Sequence, residues 1–472
     1  MKKSIITKNI VIPAKAGIQT VLKILDSRFH GNDDQMRENS FLTACQGNRI
    51  HSLLLAPCCR TLIAFFMLFT SIAFAGDLSL QALIDEALLN SPEILSAKEA
   101  WKSSAYKIPQ AKTLPDPEFM VQYQNEGWDR YTFGEMEGAQ WMFSATQMFP
   151  FPGKLGIKKE MTRRDAEGFE ANYNNVKLRV ASKVKTTYYD LYFNHKSLEI
   201  LNEKRGVLEK IESSALSRYS TGMASQQEVL MAQIEKSMLI EKEQMLGQSL
   251  KSGEAEINMI LGRNIDTPLG KPSDIKQTAF AYSFEELQGK ALNNSQELTV
   301  RGKMIKAGEA KVEMAKKEYY PDFNLTASVS KRKDPFEDMW SLGVGINIPL
   351  FYKKKQGLAV LEQKSALLQA RHEYEETKQA LSFELKDNFL MAKTAEALTG
   401  LYKDGLIPQA EMALKASMAE YAAGKVEMIA LLKNLNTLLD SKLQYHSQIV
   451  EKEKAIARIE ALVGQGFKEI QK

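Results

Sequence analysis

From Lys154 to Tyr219 the chain holds no proline and only three glycines, Gly156, Gly168 and Gly206. Apolar residues recur there at spacings of three and four: Val176, Val180, Val184, Tyr188 and Leu191, then Leu198, Leu201, Leu208 and Ile211. That is the stripe of one continuous helix carrying a coiled-coil seam. At 1.5 Å per residue it spans on the order of 100 Å, far more than a single globular domain needs. The sequence Tyr219-Ser220-Thr221-Gly222-Met223-Ala224-Ser225 reads as a turn, and a return helix runs from Gln226 to Leu261. Gly262 follows where a left-handed cap belongs.

The same plan occurs twice. Ser79 to Glu93 and Ser283 to Glu297 align at a constant offset, with Leu83 matching Leu287, Ala87 matching Ala291, and Asn90-Ser91 matching Asn294-Ser295. Farther on, Pro115-Asp116 answers Pro321-Asp322, Trp141 answers Trp340, Pro150 answers Pro349, and Tyr219 with Gly222 answer Tyr421 with Gly424. Matches that stay collinear through prolines, turns and strands mark a duplicated unit. Each unit comprises two short helices, a strand hairpin, one very long helix and its return. Ser91 is a possible cap, with Pro92 at the first position, for a helix from Glu93 to about Lys112. Pro408 is expected to kink the second long helix near its far end. The expected divisions are a leader over residues 1–75 and two repeats, 76–270 and 271–472.

Between the helices lie the strands. Phe323, Leu325, Ala327 and Val329 alternate with Asn324, Thr326, Ser328 and Ser330, and Trp340, Leu342, Val344, Ile346 and Ile348 alternate with Ser341, Gly343, Gly345 and Asn347. Each run has one greasy and one wet face and is about as long as a tilted membrane-crossing strand, roughly 9 to 11 residues. The pattern equally fits a hairpin packed on a soluble core. A weaker pair, Phe119 to Asn125 and Gln140 to Phe149, precedes it. If the greasy faces meet lipid, no strand edge can stay open, because unpaired backbone groups in hydrocarbon cost several kcal/mol each. Four strands are too few for a closed barrel, which needs about eight. Several copies would then have to share one.

Composition narrows the function. Of 62 basic and 58 acidic residues, nine and four fall in residues 1–75, leaving a nearly neutral remainder with no basic footprint for nucleic acid. The cysteines, Cys45, Cys58 and Cys59, also precede residue 76. Arg60, the apolar run Thr61 to Ile72 and Ala73-Phe74-Ala75 have the form of a secretory signal peptide cut after Ala75, whose core is residues 60–75. A mature chain so produced would contain no thiol. A lipoprotein site at Cys58 is a weaker alternative, since Pro57 stands where a small residue is wanted. Residues 1–35 read as a mis-annotated start, with translation beginning at Met36 or later.

No phosphate loop, nucleophile elbow or paired carboxylates on a short loop is present, so the reading is of a protein that is not an enzyme, with no cofactor and no metal site. His195, His372 and His446 lack ligand spacing and are expected at a surface or interface. Met231, Met238 and Met245 repeat every seven residues. Thioethers could pass soft ions, but a heptad stripe of this kind more often fills a core.

The two-fold repeat, the Pro-Asp step into each first strand, the exit Phe149-Pro150-Phe151-Pro152-Gly153-Lys154 and the Gly-centred turns resemble the TolC-type outer membrane factors over roughly residues 77–463. Within that family the nearest resemblance is to the heavy-metal efflux branch, the CzcC and CusC type. The resemblance implies a mainly α fold with a small transmembrane β part, in which coiled-coil hairpins and four strands per chain form a trimeric α/β barrel. It implies a Gram-negative outer membrane channel with its helices in the periplasm. The partners it implies are sister copies in a homotrimer, outer membrane lipid, a periplasmic adaptor and an inner membrane pump of the resistance-nodulation-division type.

The tip or gate would comprise Arg218, Tyr219, Gly222, Tyr421, Gly424 and Lys425, although the tyrosines also fit plain packing beside a turn. An acidic ring found in some relatives is missing, its positions being Ala430 and Lys433. Asn324, Thr326, Ser328, Ser341 and Asn347 would line the barrel lumen. Phe323, Leu325, Val329, Trp340, Leu342, Val344 and Ile346 would face lipid. The competing architecture is a periplasmic coiled-coil adaptor or scaffold without a pore.

Overall fold

A computed structural model describes residues 78–464. The readings of the leader and of the translation start lie outside the described residues. The elements follow the duplicated plan: α1 (Leu80–Asn90), α2 (Pro92–Gln110), β1 (Glu118–Gln124), β2 (Gln140–Phe149), α3 (Lys154–Ser220) and α4 (Gln226–Leu261), then α5 (Phe284–Asn294), α6 (Gln296–Lys317), β3 (Asp322–Lys331), β4 (Met339–Asn347), α7 (Gln356–Leu401), α8 (Ile407–Ala422) and α9 (Met428–Val463).

The helix α3 is a single run of 67 residues. Its seam is buried at Val176, Val180, Val184, Tyr188, Leu191, Leu201, Leu208 and Ile211, with Ile200 rather than Leu198 facing inward. Two corresponding cores form at the same level of the two repeats. Leu83, Ala87 and Ile94 pack on Val180, Val184 and Ile257 in one. Leu287, Ala291 and Leu298 pack on Leu381, Leu385 and Ile456 in the other. Farther along, a third core joins the hairpins themselves, with Leu208, Ile211 and Ala215 of α3 against Leu414, Tyr421, Leu431 and Leu435 of α8 and α9.

Two local expectations change. Ser91 occupies the N-cap position of α2, but its hydroxyl makes no capping bond. Its counterpart Ser295, with nearly the same backbone angles, accepts from the Leu298 N–H at 3.4 Å. Upstream of Pro408 the helix absorbs the missing N–H by widening into a π turn over Tyr402–Leu406, which connects α7 to α8.

The strands form one antiparallel sheet in the order β1-β2-β3-β4, so the second strand of one repeat pairs with the first of the next. Like residues face each other across this central joint, where Phe149 pairs with Phe323, Thr146 with Thr326, Ala145 with Ala327 and Ser144 with Ser328. Register therefore gathers the aromatic and branched apolar residues on one face and the Ser, Thr and Asn positions on the other, with Met120, Met142 and Met148 on the polar side and Gln147 on the apolar side.

Candidate functional site

The apolar sheet face is uncovered. Trp340 is 80% exposed, Phe119 76%, Val344 71% and Leu342 66%, and Leu325, Val329 and Ile346 are exposed beside them, with Phe323 half-buried. A hairpin packed on a soluble core would hide these residues, and none is buried here. The opposite face carries a cross-strand polar ladder. Thr146 and Thr326 hydroxyls lie 3.0 Å apart, and Ser328 and Ser341 hydroxyls 2.7 Å apart. Asn324 and Asn347 share this face with Thr326, Ser328 and Ser341. Among the described residues no helix is long and apolar enough to cross a membrane.

Where sheet meets helices, the two motifs read separately from the sequence come together. Lys154, at the start of α3, is buried to 4% of its side-chain surface and lies 2.9 Å from Asp322 Oδ1 and 3.3 Å from Glu318 Oε2. The Phe151 N–H donates to Asp322 Oδ1 at 2.7 Å. Phe151 also stacks on Tyr320, the ring centroids 4.5 Å apart. The Pro-Asp step of the second repeat thus receives the strand exit of the first.

At the far end of the hairpins, Gly222 and Gly424 adopt φ of +74° and +71°, the left-handed conformation that the tight turns require. Tyr219 and Tyr421, equivalent in the repeat, are not equivalent here. Tyr219 is 45% exposed, whereas Tyr421 is 2% exposed and its hydroxyl donates to Glu228 Oε2 at 2.7 Å. Burial, reinforced by that carboxylate, raises the Tyr421 pKa. Arg218 lies over the Tyr421 ring at 4.5 Å and donates to the backbone carbonyls of Tyr421 and Met223. Lys425 is exposed, outside this cluster. Arg218, Glu228 and Tyr421 therefore tie the first hairpin to the second.

A second tie lies above it. Lys204 of α3, with 4% of its side chain exposed, reaches Asn436 Oδ1 of α9 at 2.7 Å and Glu235 of α4 at 3.3 Å. Sequence reading missed Glu228, Glu235, Asn436 and the depth of Lys154 and Lys204. Only Glu228 left a local signal, the capping box Ser225-x-x-Glu228 that opens α4.

Other expectations are corrected by packing. Met231 packs beside the third core, but Met238 and Met245 are 47% and 63% exposed. The seam of α4 runs instead through Val229, Ala232 and Leu239. His372 is exposed, whereas His195 and His446 are half-buried. The His446 ring lies 5.1 Å from Tyr445 and 6.5 Å from Tyr192, and burial lowers the pKa of both histidines.

A sheet with one bare apolar face and one polar face, carried on helices of which α3 alone runs 67 residues, about 100 Å, has the form of a membrane channel subunit with a long helical extension. Residues 287–465 match the family described as outer membrane efflux protein. It is 21% identical to the cobalt-zinc-cadmium resistance protein CzcC of Cupriavidus metallidurans, over 83% of this chain and 91% of that one. Its fold is similar to the outer membrane protein VceC of Vibrio cholerae, with TM-score 0.69 and 18% identity over 82% and 97% of the two chains. It is also similar to CusC, with TM-score 0.69 and 15% identity over 85% and 96%. The second repeat thus resembles outer membrane efflux proteins, and the described chain shares its fold with the outer membrane protein VceC and with CusC.

Proposed function

We propose that three copies pool their sheets into one twelve-stranded barrel and continue it with their helices as a periplasmic tube. The tube is the exit duct of a tripartite efflux system. The single observation carrying this reading is a sheet whose apolar face is bare, whose polar face is hydrogen-bonded, and whose two outer strands have open edges. In hydrocarbon those edges require partners. In this reading a leader ends at Ala75, and the repeats span 76–270 and 271–472. Asn324, Thr326, Ser328, Ser341 and Asn347 line a water-filled lumen, while Phe323, Leu325, Val329, Trp340, Leu342, Val344 and Ile346 meet lipid.

Conduction is passive. A periplasmic adaptor engages the turns around Gly222 and Gly424 and loosens the Arg218–Tyr421–Glu228 cluster, while an inner membrane pump selects the cargo. The similar proteins named for cobalt, zinc and cadmium and for nickel, cobalt and cadmium resistance support divalent heavy-metal ions as that cargo. Planar bilayers test the duct, because the purified protein should give discrete ionic steps. Deleting the gene tests the cargo: sensitivity to cobalt, zinc or cadmium should rise. A protein that never conducts, or a deletion strain with unchanged metal tolerance, contradicts the corresponding part.

A further inference from the structure

The two free edges of the sheet fit each other in one register, and the structure contains the template for it. The correspondence of Trp141 with Trp340 and of Asp116 with Asp322 superposes the two hairpins without slippage. Tyr123 pairs with Trp141 as Val329 pairs with Trp340, and Glu118 pairs with Thr146 as Asn324 pairs with Gly345. The joint between repeats, β2 with β3, therefore dictates how β4 would meet β1 of another copy if the same relation were repeated.

We infer that β4 joins β1 of the next copy with Val344 opposite Val121, Ile346 opposite Phe119 and Leu342 opposite Tyr123. This rests on the trimeric reading above and gives it an atomic register. These pairs are the equivalents of Ala145 with Ala327, Gln147 with Leu325 and Phe143 with Val329 in the observed joint. Every one of the three new pairs falls on the apolar face, so the bare surface continues unbroken across the seam. A slip of one residue would set apolar side chains against polar ones and turn one strand inside out.

The ends of the seam carry the same message in charge. Within the chain, Asp322 is satisfied by Lys154 and by the exit of β2. Its counterpart Asp116 is exposed and makes no ion pair among the described residues, and the exit of β4 carries the exposed run Lys353, Lys354 and Lys355, likewise unpaired there. The seam brings that lysine run to Asp116 of the next copy and repeats the Lys154–Asp322 clasp between subunits. It also brings Leu350, 75% exposed, toward Leu114, 44% exposed, where Phe151 meets Tyr320 within the chain.

Cysteine pairing tests this in the full chain with Cys45, Cys58 and Cys59 changed to serine. Val344→Cys is combined in turn with Phe119→Cys, Val121→Cys and Tyr123→Cys, and the variants are oxidised in isolated membranes. The register predicts cross-chain product at least about tenfold greater for the Val121 combination, since directly opposed side chains approach within disulfide reach and diagonal ones do not. A maximum at Phe119 or Tyr123, or no product in variants that still migrate as native trimers, overturns the register while leaving the trimer standing. Monomers on native electrophoresis overturn both. Separately, Asp116→Lys should lower the temperature at which the trimer dissociates, and adding Lys353→Glu, Lys354→Glu and Lys355→Glu should restore it. An unchanged temperature removes the ionic clasp.

Discussion

The Lys154 ammonium holds Asp322, 168 positions later in the chain, with 2.9 Å and 3.0 Å to its two carboxylate oxygens. One residue begins the long helix of the first repeat and the other begins the first strand of the second. Their pairing joins the start of α3 to the start of β3, where the helices meet the sheet. Asp322→Ala would leave a buried ammonium relying on Glu318, whose side chain is 46% exposed. Loss of one partner from a buried pair costs about 3–5 kcal/mol. The variant should dissociate in detergent at a clearly lower temperature, and Lys154→Met, which removes the buried charge itself, should be the milder change.

The cluster at the helical turns predicts an effect on conductance rather than on assembly. Tyr421→Phe removes the hydroxyl that meets Glu228, a loss of about 1 kcal/mol by the usual worth of such a bond. Arg218→Ala removes the ring contact and the bonds to two carbonyls at once. In bilayers, open time should rise modestly for Tyr421→Phe and strongly for Arg218→Ala. Equal open times for parent and Arg218→Ala would show that this tie does not restrain the tip.

The two faces of the sheet predict opposite responses to charge. Val344→Lys places an ammonium on the bare apolar face, which costs about 2–4 kcal/mol at the bilayer midplane. Its yield in the outer membrane should fall. Ser328→Lys lies on the polar ladder, so assembly should persist while cation conductance drops. The reverse pattern in membrane yields would mean that the faces are exchanged.

Glu453 provides a pH-dependent test. The carboxylate is 2% exposed, and burial raises its pKa even though the Thr278 N–H and hydroxyl both donate to it at 2.7 Å. The folded chain therefore holds this proton more tightly than the unfolded one, so its contribution to stability falls as pH rises upward from the ordinary value of 4.5. Glu453→Gln can keep both contacts without the charge. Denaturant titrations should show the variant level with the parent in acid and more stable near neutrality. A difference constant across that range would remove the titration of Glu453 as its cause.

Periodicity exposed what repeats along the chain and concealed what meets across it. The α3 seam, both turns, the return helix and the alternating strands were legible because helix and strand periods and left-handed glycines leave local marks. The joint between β2 and β3 was not, since antiparallel register between strands some 180 residues apart has no local signature. For the same reason Lys154 and Lys204 looked like any exposed lysine on a charged helix until the fold surrounded them. The methionine stripe misled in the other direction. Its heptad spacing is real, but Met238 and Met245 sit off the line that Val229, Ala232 and Leu239 take toward α3. Tyr219 and Tyr421 share a repeat position, and only tertiary packing distinguishes the exposed one from the buried one.

The central claim is that a lone sheet with a bare apolar face becomes a pore wall only when sister chains complete it. Light scattering of protein extracted from outer membranes, corrected for bound detergent, reads the number of chains in the particle. The account predicts three. A particle of one chain, or protein that stays dispersed in buffer with no detergent at all, would contradict it.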